Sequence, residues 1–130
     1  MVDRLNLRMK RCLYGHWDFV LFLRNMFKGG FIDQADISHE DHLEFMIENA
    51  NRYMICTHED IPVGFVGQVD GDIRVATHPE YQGMGVGKFM INEFMEKNPK
   101  CSATVKVENE ASLALFESCG FKRKYIVLEK

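Results

Sequence analysis

The chain has 130 residues, a length that predicts one domain over residues 1–130. Its 46% hydrophobic and 27% charged residues are ordinary for a soluble globular protein. The net charge of −3 and the lack of a basic run argue against a nucleic-acid partner. No apolar run reaches the roughly 18 residues of a membrane span, so we expect no contact with a membrane.

The four cysteines are scattered and form no C-x-x-C pair: Cys12, Cys56, Cys101 and Cys119. We therefore expect buried free thiols in a reducing compartment, which predicts a cytoplasmic location. The first residues also lack the apolar segment of a signal peptide. His39 and His42 stand three residues apart, but no further ligand accompanies them, so no metal site is predicted.

The first half of the chain predicts a strand and two helices. Residues 5–10 alternate apolar and polar side chains, as in a half-buried strand. A helix begins at Trp17 and ends at residues 28–30, and a loop follows. Ser38 with Asp41 three residues later is typical of a second helix start. The first helix is apolar on more than one side. Burial on two sides explains this most simply, and a substrate groove or a dimer contact are the alternatives.

The second half predicts five strands and two helices. The dipeptide Asp70-Gly71 is a strong two-residue hairpin signal, so the strands around it should pair antiparallel. One helix should follow a glycine-rich loop and extend to about Lys97, and a shorter one should cover residues 110–118. The strands are predicted at residues 53–57, 63–69, 73–77, 103–107 and 125–128.

The most informative stretch is the glycine-rich loop at residues 82–88, between a strand and a helix. Gly83, Gly85 and Gly87 leave a row of backbone N–H groups with no side chains in the way. The first turn of a helix also has unpaired N–H groups and a partial positive charge. The loop therefore predicts an anion site, most naturally for a diphosphate, and Lys88 adds a formal positive charge beside it.

Two common phosphate-binding loops do not fit this stretch. A Walker A loop would need glycine at Gln82 and a hydroxyl side chain at Phe89. A dinucleotide fingerprint would need its third glycine at Met90. Taken alone, the glycines are equally well explained by a turn that binds nothing.

The flanking residues add a second signal. Val75, the turn His78-Pro79-Glu80 and the loop itself resemble the acetyl-CoA motif of the GCN5-related N-acetyltransferase (GNAT) superfamily, Gln/Arg-x-x-Gly-x-Gly/Ala. A second block at residues 109–121, which ends in Gly120-Phe121, resembles the later helix and strand entry of the same superfamily. The predicted order β-α-α-β-β-β-α-β-α-β is also the order of that superfamily.

This resemblance implies a fold and an activity. The fold would be a single-domain α/β (α+β) fold, with a mixed central sheet of about six strands and helices on both faces. The activity would be N-acetyltransfer from acetyl-CoA, with no metal, directly to a primary amine. The acceptor could be a small amine, an amino sugar or a protein amine, and a homodimer stays open.

The resemblance also assigns residues to acetyl-CoA. The backbone of the fourth predicted strand would pair with the pantetheine arm, the loop would hold the diphosphate, and the last helix would contribute three residues. The predicted positions are Val75, Ala76, Thr77, Gln82, Gly83, Met84, Gly85, Val86, Gly87, Lys88, Asn109, Ser112 and Phe116. A side chain at Gly85 or Gly87 should block close approach. Asn109 has a second explanation, because asparagine also caps helices.

The resemblance assigns the catalytic residues less directly than the cofactor positions. Many members carry a tyrosine acid four residues before the Gly-Phe, but this chain has Phe116 there, which has no proton to donate. Tyr125 and Tyr81 are the remaining candidates for the acid. Glu108 and Asp72 are candidates for the base that takes a proton from the amine. The departure at Phe116 keeps two alternatives open: a non-catalytic module that binds or senses acyl-CoA, and a dimerising protein without a ligand.

Overall fold

In the computed structural model, which describes residues 5–27 and 36–130, a four-stranded antiparallel sheet in the order β1-β2-β3-β4 forms the frame. The strands are β1 (Leu7–Arg11), β2 (Tyr53–His58), β3 (Ile61–Val69) and β4 (Asp72–Thr77). The described residues also form the helices α1 (Trp17–Met26), α2 (His39–Asn49), α3 (Val86–Lys97) and α4 (Glu110–Ser118).

Two tight turns set the register of the sheet. Asp70 and Gly71, between β3 and β4, have φ values of 52° and 82°. Positive φ at both central residues is what a type I′ turn requires, and this turn matches the twist of an antiparallel pair. Glu59 and Asp60 join β2 to β3 with φ values of 49° and 67°. The predicted antiparallel hairpin is confirmed.

Helices cover both faces of the sheet, as predicted. Successive strand residues point to opposite faces, so the same strands supply two separate cores. The core under α1 and α2 consists of Val20, Leu23, Met46, Tyr53, Ile55, Phe65 and Ala76. The core under α3 and α4 consists of Cys56, Val63, Val66, Ile73, Val86, Met90, Ile91, Phe94 and Phe116.

The last two predicted strands do not form. After α3 the chain makes one parallel bridge, between Ser102 and Asp72, and residues 103–107 continue without a ladder. The segment 121–130 has no strand either, and the side chains of residues 125–128 are 77–90% exposed. A strand persists only against a neighbour that accepts its hydrogen bonds. The sheet therefore has four antiparallel strands, and the prediction of a mixed sheet of about six is corrected.

The helix boundaries follow the sequence signals closely. Helix α1 begins at Trp17, and α2 begins after Ser38, whose hydroxyl accepts a hydrogen bond from the Asp41 N–H at 3.0 Å. The predicted end of α1 at residues 28–30, and the predicted loop up to residue 35, lie outside the described residues. No helix in the described part of the chain is long and apolar enough to cross a membrane.

All four cysteines are free thiols. Burial raises the pKa of both Cys12 and Cys56 to about 11. These two thiols therefore stay protonated near neutral pH, where only a thiolate would be a strong nucleophile.

A buried histidine joins α1 to α2. The Nε2 atom of His42 lies 2.8 Å from the carbonyl oxygen of Trp17, and its Nδ1 atom lies 3.1 Å from a terminal nitrogen of Arg24. A guanidinium can only donate, so Nδ1 accepts, and Nε2 carries the proton that is donated to Trp17. The Arg24 guanidinium also lies over the Phe45 ring, 4.3 Å from its centre. These contacts hold α1 against α2, and α1 also contacts β3 and β4.

Acidification should weaken this junction. Burial lowers the pKa of His42; the Arg24 and His39 charges lower it too, whereas the Trp17 hydrogen bond and Asp18 act in the opposite direction. Between the ordinary value of about 6.5 and the lowered folded value, the unfolded chain holds a proton that the folded chain lacks. The free energy of unfolding should therefore fall as the pH falls through this window. Urea unfolding at about pH 7.5 and about pH 5 measures the effect.

The matched variants are His42→Gln and His39→Gln. Removing the titrating ring in His42→Gln should flatten the pH dependence by up to about 1.4 kcal/mol per pH unit. The His39 side chain is 72% exposed, so His39→Gln should keep the wild-type slope. Equal slopes in wild type and His42→Gln would contradict the lowered pKa.

Two glycines in the central strand make room for neighbouring side chains. A Cβ atom at Gly67 would lie 2.6 Å from the ring of buried Tyr53. A Cβ atom at Gly64 would lie 2.7 Å from the terminal methyl of Met90 and 2.8 Å from the Ala76 oxygen. Each face of β3 therefore has a groove, filled on one side by a ring from β2 and on the other by a side chain from α3.

Filling one of these grooves should destabilise the protein. We expect Gly67→Ala to lower the free energy of unfolding by about 1–3 kcal/mol, because Tyr53 has no other space to occupy. Gly15→Ala is the control, since nothing lies within 4 Å of a Cβ atom there. That change should stay within about 0.5 kcal/mol of wild type in urea unfolding. Equal stability of the two variants would mean that Tyr53 does not pack over Gly67.

Candidate active site

The site begins beside the start of β4, where residues 102–104 run along the strand and then separate from it. The Ile73 N–H donates to the Ser102 oxygen at 2.8 Å, which forms the last backbone contact with the strand on this side. The next bond uses a side chain instead, because the Thr104 N–H donates to Asp72 Oδ1 at 3.0 Å. Asp72 Oδ2 accepts from Arg74 Nε at 3.1 Å. The Asp72 carboxylate thus fixes the point at which the segment after Ser102 separates from β4.

Beyond this point no strand of the described residues pairs with the outer edge of β4, which we call its open edge. Backbone N–H groups of a strand alternate between its two sides. The His78 N–H donates to the Val63 oxygen of β3, so Ala76 also directs its backbone groups towards β3. Val75 and Thr77 direct their backbone N–H and C=O groups to the other side of β4, where residues 103–107 no longer run along the strand. Of the three backbone positions predicted for the pantetheine arm, Val75 and Thr77 therefore lie on the open edge.

A short turn connects this edge to the glycine-rich loop. Residues Pro79–Tyr81 form a single 3-10 turn, and His78 Nδ1 accepts a hydrogen bond from the Glu80 N–H at 3.1 Å. His78 thus has a structural role as the acceptor that caps this turn. Gln82 Nε2 lies 3.5 Å from the Thr77 oxygen and brings the start of the loop back to the end of β4.

The amino terminus of α3 has no side-chain cap among the described residues. Its N-cap residue is Gly85, with φ of 85°; no side chain accepts from the first turn, and no acidic residue stands there. Gly83, with φ of 77°, adds a second left-handed residue. Nothing lies within 4 Å of a Cβ atom built on either glycine. Free space at both glycines and a first turn without a side-chain acceptor are an arrangement that fits the predicted diphosphate.

The structure corrects the explanation for Gly87. A Cβ atom there would lie 3.0 Å from Leu115 of α4 and 3.8 Å from the Thr77 hydroxyl. This position faces the protein, so a side chain would push against α4 instead of entering the space in front of the loop. Gly85 remains the position where an added side chain would obstruct a ligand.

The comparison with protein families agrees with this geometry. Residues 49–123, more than half of the chain, match the model of the acetyltransferase (GNAT) domain. The chain belongs to the GNAT family. The resemblance carried by the loop at residues 82–88 and by the block at 109–121 is confirmed.

Individual relatives of this GNAT protein are distant. Spermidine N(1)-acetyltransferase of Vibrio cholerae is 26% identical over 92 residues, which cover 66% of this chain and 53% of that protein. The chain therefore spans about half the length of this curated relative. The fold is similar to the spermidine N-acetyltransferase of Vibrio cholerae in complex with CoA and spermine, with a TM-score of 0.78, 18% identity and coverage of 95% and 85%.

A second solved structure extends the similarity. The aminoglycoside N-acetyltransferase in complex with CoA has a TM-score of 0.73 at 18% identity and covers 100% of this chain and 97% of its own. At such identities the similarity shows the GNAT fold, and the choice of acceptor has to be argued from the residues of this chain.

The remaining cofactor positions have mixed environments. Asn109 Oδ1 accepts from the Ser112 N–H at 3.2 Å, which confirms that Asn109 caps α4. Phe116 is buried and packs edge-on against Phe121, with ring centres 5.1 Å apart. Within the loop and the first turn of α3, Val86 is buried, whereas Met84 and Lys88 are exposed.

No hydrogen bond or ion pair of the described residues joins any two of the predicted catalytic residues. Asp72 holds two partners at the start of β4, as described above. Glu108 is exposed in the turn before α4. Tyr125 lies almost fully exposed in the segment after α4. Tyr81, the other candidate acid, is half-buried, with its ring centre 6.2 Å from that of His78. All these catalytic assignments stay predictions.

The sequence analysis did not identify the buried amino group of Lys106. The Nζ atom of Lys106 is buried and has no hydrogen-bond partner among the described residues. Lys106 stands in the segment that departs from β4, and a buried ammonium without a partner is costly in free energy. Alternation with its neighbours predicts a polar position here, but no sequence signal predicts that this position is buried.

The two roles of Asp72 can be separated by substitution. Asp72→Asn keeps an acceptor for the Thr104 N–H, whereas Asp72→Ala removes it. We expect Asp72→Ala to lose about 1–3 kcal/mol of unfolding free energy in urea titrations, and Asp72→Asn to lose much less. Equal losses would contradict the structural role. A loss of acetyl transfer in Asp72→Asn at unchanged stability would instead support the role of base.

Proposed function

We propose that this protein transfers the acetyl group of acetyl-CoA directly to a primary amine. The observation that carries the proposal is the uncapped amino terminus of α3 beside the open edge of β4. The first offers N–H groups to an anion, and the second offers backbone groups to an extended arm. The names of the relatives support an amine as the acceptor, because one acts on spermidine and another on aminoglycosides.

In this proposal acetyl-CoA binds along a line from the loop to β4. The diphosphate lies on the N–H groups of residues 83–88, and the Lys88 ammonium adds charge. Gln82 holds the loop near β4. The pantetheine arm runs along Val75 and Thr77, and the first turn of α4, with Asn109 and Ser112, lies further along the arm.

The transfer forms a C–N bond and breaks the C–S bond of the thioester. The amine must lose one proton, because an alkylammonium with a pKa of about 10 has no lone pair at neutral pH. The CoA sulfur leaves as a thiolate and is protonated by an acid or by water. The Val75 N–H lies on the open edge of β4 and is suited to bind the carbonyl oxygen as negative charge develops on it.

Glu108 is the first candidate for the base. Its side chain is exposed and has no ion pair within the described residues, so it can take the proton through a water molecule. Asp72 is the second candidate, and it ranks behind Glu108 because both of its carboxylate oxygens already accept hydrogen bonds. Tyr125 is the candidate acid, and departure of an unassisted thiolate is the alternative to it.

A second function has one observation in its favour. The position of the usual tyrosine acid holds Phe116, which is buried and has no proton to donate. A protein that binds acyl-CoA without transferring the acyl group would keep the loop and lose this acid. Turnover with an amine separates the two functions.

Calorimetric titration of acetyl-CoA tests the proposed binding site. We expect binding by wild type and a loss of at least about 100-fold in affinity for Gly85→Glu, since a carboxylate would fill the anion site. Gly71→Glu is the matched control, because Gly71 also has positive φ and nothing within 4 Å of its Cβ position. It should carry the same backbone strain and keep wild-type affinity.

A thiol-release assay over a panel of amines completes the experiment. Binding with turnover supports the acetyltransferase. Binding by wild type without turnover of any amine favours the non-catalytic module. Absence of binding by folded wild type, or equal affinity of Gly85→Glu and Gly71→Glu, would overturn the placement of acetyl-CoA on this loop.

A further inference from the structure

Two walls border the place where the chain separates from β4. One wall is the open edge of β4 at Val75 and Thr77. The other is the segment 103–106, which follows the bridge between Ser102 and Asp72 and forms neither helix nor turn. A ligand that runs along the open edge therefore lies beside the side chains of this segment, and we call the place between the two walls the gap.

Alternate residues of the segment face opposite sides of the sheet. Cys101, Ala103 and Val105 all pack against the core under α3 and α4. Since side chains alternate along extended backbone, Lys106 is directed to the other face, which α1 and α2 cover. Ala76 of β4 belongs to the core on that face. Lys106 thus stands at the gap, on the face away from α3.

The protein encloses the amino group of Lys106 without using it. The Nζ atom is buried, and it has neither a hydrogen-bond partner nor an ion-pair partner among the described residues. An ammonium has three donors and no acceptor, so its partner has to be a carbonyl, a carboxylate, a thiolate or a similar group. Buried polar groups are rarely left without a partner. This observation points to a ligand that supplies the missing acceptor.

The diphosphate of acetyl-CoA does not suit this role. Its proposed site is the amino terminus of α3, where Lys88 already supplies a positive charge, whereas Lys106 is directed to the opposite face. In the proposed binding mode the arm of acetyl-CoA starts at α3 and passes the edge of β4. Its thioester end then reaches the face on which Lys106 lies. The acceptor atoms that come to Lys106 are therefore the carbonyl oxygen and the sulfur of the thioester.

The leaving sulfur still lacks a partner in the site. Phe116 occupies the position of the usual tyrosine acid, and it is buried in the core under α3 and α4, where its ring packs on Phe121. Tyr125, the candidate acid, has a side chain that is 90% exposed. An enclosed cation at the gap meets the same chemical need, because negative charge develops on the sulfur as it leaves.

We infer that Lys106 assists the departure of the CoA sulfur. This inference rests on the proposed acetyl transfer and names a further catalytic residue for it. The amine nitrogen forms the C–N bond, the C–S bond breaks, and its electron pair goes to the sulfur. The Lys106 ammonium donates a hydrogen bond and then one proton to that sulfur. The proton of the amine passes through the base to solvent, and Lys106 regains a proton from solvent after CoA leaves.

Lys106→Met tests this role, because methionine keeps an unbranched side chain and removes the charge. We expect this variant to bind acetyl-CoA as wild type does in calorimetry. Its single-turnover rate, with an amine that wild type acetylates, should fall by about 100-fold, which is the lower range for the loss of a general acid. The matched control is Lys100→Met, at an exposed lysine after α3, and it should keep the wild-type rate.

Urea unfolding separates this role from a structural one. Lys106→Met replaces an enclosed charge that has no partner with an apolar side chain, so the variant should be at least as stable as wild type. A lysine that held the fold together would give a less stable variant.

The ionisation of bound CoA gives a readout that needs no turnover. A thiolate absorbs in the ultraviolet where a thiol does not, so a pH titration of the CoA complex can follow the CoA sulfur. The same titration with desulfo-CoA is subtracted, which cancels the cysteines and tyrosines of the protein. A positive charge beside the sulfur should make the thiol ionise about one pH unit lower in wild type and Lys100→Met than in Lys106→Met.

The outcomes separate this inference from the proposed function. Equal single-turnover rates in wild type and Lys106→Met would overturn the inference and leave the acetyltransferase standing. Ionisation of the CoA thiol at the same pH in both proteins, or a loss of stability in Lys106→Met, would overturn it as well. Earlier ionisation that depends on Lys106, in a protein that acetylates no amine, would support the position of Lys106 beside the sulfur and overturn the transfer together with the catalytic role.

Discussion

Residues 103–107 separate from β4 after a single backbone bridge, and the rest of the site depends on this separation. If residues 103–107 continued as a parallel strand, their carbonyl and N–H groups would occupy Val75 and Thr77. The Asp72 side chain takes the Thr104 N–H at the position where the ladder would continue. A carboxylate thus ends the pairing without leaving that donor unsatisfied, and the edge beyond it stays available to a ligand.

The amino termini of the helices differ in how their free N–H groups are satisfied. Every α-helix begins with N–H groups that lack intrahelical partners. Ser38 supplies an acceptor for α2, and Asn109 supplies one for α4. Helix α1 has no side-chain cap but carries Asp18 in its first turn, whereas α3 begins at a glycine and has neither a side-chain cap nor an acid in its first turn. Side chains meet this requirement at α2 and α4, and in our proposal the diphosphate of acetyl-CoA meets it at α3.

Local signals predicted more of this molecule than long-range ones. The Asp70-Gly71 turn, the Ser38 cap and the bounds of α4 depend on residues near each other in sequence, and all three are confirmed. The predictions of a fifth and a sixth strand were wrong because a strand depends on a neighbouring strand. The alternating pattern at residues 103–107 gives no information about such a neighbour. The partners of Asp72 and His42, and the neighbours of Gly87, come from other elements, so no local pattern could reveal them.

The open edge of β4 also bears on self-association. An unpaired strand edge is a template on which another chain can add, and proteins usually protect such edges. Among the described residues, only Val75 and Thr77 of β4 lack a backbone partner on this edge, because the bridge to Ser102 covers one end and Pro79, which has no N–H, follows at the other. Two positions are enough for a short extended ligand and too few for a typical strand of five or six residues. The open edge of β4 is therefore short enough to resist edge-to-edge aggregation.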